Sequence, residues 1–167
     1  MKIIFRIVRN LLIAMLIVSF SATSINAHER SQYWQSREAL VEYLDSAQGC
    51  RYSQTRRMEV GYYDCSSLVC RAYKAAGIDI PTTSKMQYLW GCEKGLISEL
   101  ENAVTGSVIF VSKTDDPKGI FHEVIVYDAD QVFEVSSSDG VRKKGFERKA
   151  DYHYFVMNPL ETQSKDF

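Results

Sequence analysis

Apolar positions along this chain change their rhythm three times. Lys2, Arg6 and Arg9 lead into an apolar run from Leu11 to Phe20, closed by the small and polar stretch SATSINA. Over residues 28–48, Trp34, Leu40, Val41 and Leu44 recur near helical spacing with charges between them, which predicts an amphipathic helix. Residues 49–63 mix polar and aromatic groups without a period and read as a loop. A second helix is expected from Cys65 to Ala76: Leu68, Ala72 and Ala76 form its apolar stripe, Gly77 supplies the stop, and Pro81 lies beyond. Thr82-Thr83-Ser84 suits the N-cap of a third helix running through Trp90. The period then drops to two. Strands are expected at 107–111 (SVIFV), 123–127 (EVIVY), 131–135 (QVFEV) and 152–157 (YHYFVM), with a tight Asp128-Ala129-Asp130 turn between the second and third. The segment VRKKGFERK, 141–149, reads as a basic connection. Helices followed by an antiparallel meander predict an α+β domain.

The opening run changes how the rest is read. A basic start, an apolar stretch and a small residue before a cut have the layout of a secretory signal peptide, with cleavage expected after Ala27. The expected organisation is therefore a signal over 1–27, one domain over 28–160 and a polar tail over 161–167. An uncleaved anchor is the competing reading, although the run from Leu11 to Phe20 is short of the roughly 20 apolar residues a span needs. Cleavage removes three basic side chains and no acidic one. That leaves 17 basic against 21 acidic groups, a net charge of −4, which argues against a nucleic-acid partner. Export would place the protein in the periplasm or outside the cell, where disulfides persist. Two of Cys50, Cys70 and Cys92 could then pair, in a combination the sequence does not fix. No cysteine–histidine spacing suggests a metal site, and no cofactor is expected.

Chemistry centres on Cys65. It stands where the loop turns into the second helix, and the free amides and positive end of a helix N-terminus favour a thiolate. A thiolate nucleophile also needs a base and an oxyanion donor. His122, at the head of an expected strand, titrates in the right range to be that base. A lone cysteine is more often a small buried hydrophobe, so the surrounding residues decide the matter.

The segment YYDCSSLVCRAYKAAGIDIPTTSKMQ resembles the NlpC/p60 family of cell-wall cysteine peptidases. Asp64-Cys65-Ser66, Leu68-Val69, Ala76-Gly77-Ile78, Ile80-Pro81, Thr83-Ser84 and Gln87 follow that family's D-C-S-G-[LF]-V and A-G-[IL]-x-[LI]-P-x-T-S-x-x-Q order. Ser67 replaces the usual glycine, where its Cβ should crowd the helix slightly. Gly49-Cys50-Arg51-Tyr52 is similar to the family's G-x-x-Y, GSVIFV to its G-D-L-V-F-F, and FHEVIVYDADQVFEVSSSDGV to its H-V-G-I-Y stretch.

The resemblance spans about residues 49–158 and implies a papain-like fold, with the catalytic helix packed on an antiparallel sheet. It implies Cys65 as nucleophile, His122 as base and Glu134, twelve positions on, as the group orienting the imidazole. Tyr52 and the Cys65 amide would hold the oxyanion, and Asp64 and Ser66 would contact substrate. The implied activity is cleavage of peptidoglycan stem peptides, between D-glutamate and the diamino acid or at a neighbouring cross-link, through a thioacyl-enzyme and by a monomer. An inhibitor or localising protein is the expected partner. Two other readings stay open: a secreted toxin-like amidase, and a non-catalytic wall-binding protein on the same fold. The intact Cys65–His122 pair speaks against the second, because a pure binder has no use for it.

Overall fold

The computed structural model describes residues 28–164, so the signal segment 1–27 and residues 165–167 lie outside it. Helix α1 (28–47) lays Leu40, Leu44 and Ala47 into the core at helical spacing, with Tyr33, Val41 and Tyr43 packed at their edge. Trp34 does not join that stripe. It is 53% exposed and stacks under the Arg37 guanidinium, 5.2 Å from its ring centre. The expected loop holds a short parallel pair, β1 (Arg51–Tyr52) and β2 (Tyr62–Tyr63).

Helix α2 (Cys65–Ala75) begins where the sequence places it. It ends in a Schellman closure, with the Gly77 amide on the Lys74 carbonyl and the Ile78 amide on the Tyr73 carbonyl. Gly77 adopts φ +80, which a Cβ would disfavour. Helix α3 (Ser84–Glu93) starts after Thr83 and runs three residues past Trp90. Gly91 lets it approach the sheet, since a Cβ there would lie 2.7 Å from the Met157 sulfur.

Six strands build one antiparallel sheet: β3 (Ile97–Ser98), β4 (Val108–Ser112), β5 (Ile120–Val126), β6 (Gln131–Ser136), β7 (Gly140–Gly145) and β8 (His153–Met157). Their order is β3-β8-β4-β5-β6-β7, so β8 returns between β3 and β4 and the sheet is more than a meander. The basic stretch is strand β7. Lys143 stands beside Phe133 on the helix side and pairs with Asp45 of α1, while Arg142 and Lys144 turn to the other side and pair with Glu134.

The two sheet faces carry separate cores. Helices α2 and α3 cover the first, built on Val108, Phe110, Ile125, Phe133 and Val135. The second holds Ile109, Val124, Val126, Val132 and Val156, edged by Leu100, Ala103, Phe146 and Tyr154. Strand alternation sorts them. One irregularity interrupts it: Val111 pairs with His122 but Ser112 with Ile120, so Phe121 is an extra residue, a β-bulge. A short 3-10 helix, Pro159–Ser164, crosses from the expected domain end into the expected polar tail, and its Leu160 is buried. All four cysteines are free thiols, so no pair among Cys50, Cys70 and Cys92 is bridged.

Candidate functional site

Asp64 closes the loop and opens α2. Its Oδ1 accepts the Ser67 amide at 2.7 Å, and the Ser67 hydroxyl accepts the Asp64 amide at 2.9 Å, so two otherwise unpaired donors are met reciprocally. Ser67 thus contributes a hydrogen bond where crowding was expected. Arg57 braces the same turn. Its Nη1 donates to Asp64 Oδ2 at 3.2 Å, Ser66 Oγ at 2.9 Å and the Thr82 carbonyl at 2.7 Å. Gln87 Nε2 donates to the Ser66 and Pro81 carbonyls, tying α3 to the start of α2. Asp64 and Ser66, expected as substrate contacts, are both buried and engaged in this brace. Strand β1 sets Tyr52 beside Tyr63 of β2, two residues before Cys65, with its side chain exposed.

Cys65 is the first residue of α2 and half-buried. Burial pushes its thiol up to about 12, and the charges of Glu123 and Asp64 push the same way. Backbone hydrogen bonding from Glu123 and Ser66 pulls it down, and does not prevail.

His122 does not face Cys65. The bulge at Phe121 puts His122 on the second sheet face, in phase with Val124 and Val126 and lining a pocket there. Glu123 takes the helix-side position, directly across from Phe110 of the first core. This corrects the expected Cys65–His122 pair, and the cause is one residue of strand register. Glu134 shares the face of His122, as Phe133 lies in the first core, and its Oε2 stands 3.8 Å from His122 Nε2. That is too long for a hydrogen bond. Glu134 Oε1 instead accepts Arg142 Nε at 2.9 Å and Nη2 at 2.6 Å, with Lys144 Nζ at 3.7 Å. Burial lowers the His122 pKa, with Lys144 adding, while Glu134 works against the drop. The structure thus joins His122 to Glu134 and separates both from Cys65.

Glu123, which sequence reasoning passed over, is 1% exposed, and neither carboxyl oxygen has a hydrogen-bond partner. Burial raises its pKa to about 8; Asp64 adds to the rise, while Ser84 and Arg57 oppose it. A carboxylate inside the apolar run EVIVY was the available signal. Arg57 gave none, because a loop arginine announces no partner. Among the described residues no cluster of three or more His, Cys, Asp or Glu side chains could hold a metal ion.

The NlpC/P60 family model matches residues 49–158. The chain belongs to the NlpC/P60 family. No curated protein matches it. The P60 domain of antigen MAP1204 from M. avium subspecies paratuberculosis superposes with a TM-score of 0.63 at 22% identity, over 77% of this chain and 98% of that one. RipB, a peptidoglycan hydrolase from Mycobacterium tuberculosis, gives 0.62 at 27% identity, over 77% and 67%. RipD from the same organism, a non-catalytic NlpC/p60 domain protein adapted to peptidoglycan binding, gives 0.60 at 22%, over 74% and 97%. The α+β, papain-like architecture expected from the motifs is the observed one. Within that NlpC/P60 frame, this chain keeps the thiol at the helix start and sets a carboxylic acid against it.

Proposed function

We propose that this chain binds peptidoglycan stem peptides on the Cys65 side of its NlpC/P60 domain and does not hydrolyse them by thiol–imidazole chemistry. Glu123 carries the reading. It stands where a base for Cys65 would have to stand, and with its pKa raised to about 8 it is mostly protonated at neutral pH. Moving the proton from a thiol at about 12 to a carboxylate at about 8 spans four units, on the order of 5 kcal/mol uphill. Across β6, the register Ile125–Phe133 carried two residues further sets apolar Val135 opposite Glu123, where it cannot orient an imidazole. The choice of peptidoglycan rests on family membership and on RipB and RipD, one a hydrolase and one a binder of that polymer. Export through residues 1–27, with the mature chain starting at His28, belongs to the same reading.

The endopeptidase expected from the motifs, cutting beside D-glutamate, and a toxin-like amidase would both need a base other than His122. Calorimetric titration with a free stem tetrapeptide, and mass spectrometry of peptidoglycan incubated with the protein, test the proposal. Binding is expected, retained in Cys65→Ser, with no new fragments. Fragments that appear with the wild type and vanish in Cys65→Ser would overturn it in favour of hydrolysis.

A further inference from the structure

The second sheet face, remote from Cys65, carries a pocket of about 200 Å³ that stem-peptide binding does not use. Its floor is apolar, made by Val111, Val124 and Val132. Its walls are aromatic. Phe121 and Tyr152 meet edge to face with centroids 5.3 Å apart, and Phe146 and Tyr154 do so at 5.7 Å. The Phe121 wall exists because of the bulge, which leaves this large apolar side chain 47% exposed. His122 and Glu134 line the pocket together, with Nε2 and Oε2 3.8 Å apart. A hydroxyl oxygen seated between them could lie about 2.8 Å from each, donating to the carboxylate and accepting from the imidazole N–H.

Charge narrows the occupant. Lys144 and Lys149 face Glu134 and Glu147 around the pocket, so the lining favours neither an anion nor a cation. A purely apolar ligand would desolvate Glu134 Oε2 and His122 Nε2, which stand too far apart to bond each other, and that is costly. Size narrows it too, because drug-sized ligands take roughly 300–1,000 Å³. What combines an apolar face, a hydroxylated rim, no net charge and the bulk of one ring is a sugar.

We infer that this pocket binds a neutral pyranose, its apolar face against Phe121 and Tyr152 and one hydroxyl between His122 and Glu134. The natural source, an N-acetylated hexosamine of the peptidoglycan glycan strand, rests on the peptidoglycan reading above; the pocket itself does not.

NMR titration of the full chain with tri-N-acetylchitotriose tests this. We expect saturable shifts confined to β5, β6 and the β7–β8 connection, with a Kd of roughly millimolar order, given the few contacts one ring can make. Phe121→Ala and Glu134→Gln should each weaken binding by about tenfold or more, the loss of one stacking or hydrogen-bonding partner. Phe121 is half-exposed, so that variant stays interpretable even if Glu134→Gln is less stable. Absence of saturation, shifts centred on Cys65 and Glu123, or unchanged affinity in folded Phe121→Ala would overturn the inference. A sugar-free stem peptide, titrated separately, reads the Cys65 face, so failure of one site is distinguishable from failure of the other.

Discussion

Replacing Glu123 by glutamine would keep the shape of a buried side chain and remove its titration. In the folded protein burial holds this carboxyl protonated until about pH 8, against an ordinary value of 4.5. Once the pH passes 4.5, the unfolded chain gives up a proton that the folded chain keeps. Stability must therefore fall as pH rises through the window from 4.5 to 8, with a limiting slope of about 1.4 kcal/mol per unit. Over those three and a half units the loss is on the order of 5 kcal/mol, a large share of the 5–15 kcal/mol typical of a domain. Below pH 4.5 the two proteins should match; at pH 8 Glu123→Gln should be the more stable by several kcal/mol. Urea unfolding followed by tryptophan fluorescence at pH 5, 6, 7 and 8 measures this. Taking the difference between the two proteins at each pH cancels every other titrating group. A difference that stays flat across the window would refute the reasoning, because Glu123 would then be reaching water or a cation.

Two further outcomes follow from burial and backbone geometry elsewhere in the domain. At pH 8, iodoacetamide should modify Cys65 on the order of a thousandfold more slowly than an ordinary free thiol, since the thiolate fraction falls tenfold for each unit between 9.0 and about 12; timed peptide mass spectrometry measures it, and a rate equal to that of glutathione would contradict the buried, protonated thiol. Gly140→Ala should lower the urea midpoint by the equivalent of about 2–3 kcal/mol, because Gly140 has φ +68 and a Cβ there would lie 2.1 Å from the Cys50 carbonyl oxygen; an unchanged midpoint would mean that the seam joining β7 to the loop before β1 is soft.

What could be read from the sequence was what local chemistry decides. The start of α2 and its glycine stop are set by residues that meet within one turn, so Cys65 was correctly placed at a helix N-terminus. Strand β7 was hidden because it is an edge strand, and edges carry charge; its Arg142, Lys143 and Lys144 alternate between two faces, each with an acidic partner from another element. The place of β8 between β3 and β4 was equally hidden, being a pairing between distant segments. Trp34 left the expected stripe, whose Leu40 and Leu44 are fully buried with Val41 packed beside them.

His122 and Glu123 were the hardest to read, since adjacent residues on a strand face opposite ways and the choice between them depends on a bulge several residues long in its effect. The register makes that dependence testable. With Glu123 in place, Ile120 pairs with Ser112 and His122 with Val111, leaving Phe121 over. Deleting Glu123 alone would let Ile120, Phe121, His122 and Val124 pair in unbroken sequence with Ser112, Val111, Phe110 and Ile109, and the bulge would vanish. His122 would then take the helix-side place across from Phe110, against Cys65. A carboxyl that takes on negative charge as the pH approaches 8 would leave the thiol and an imidazole would arrive, both changes that lower a thiol pKa. The expected result is iodoacetamide modification of Cys65 at least about a hundredfold faster than in the wild type, with a pH profile that reports the imidazole. Sugar binding on the second face should weaken in the same variant, because His122 has left that pocket. If the deletion variant folds and Cys65 stays as slow as before, the register does not control which residue meets the thiol, and the separation of the two faces must have another cause.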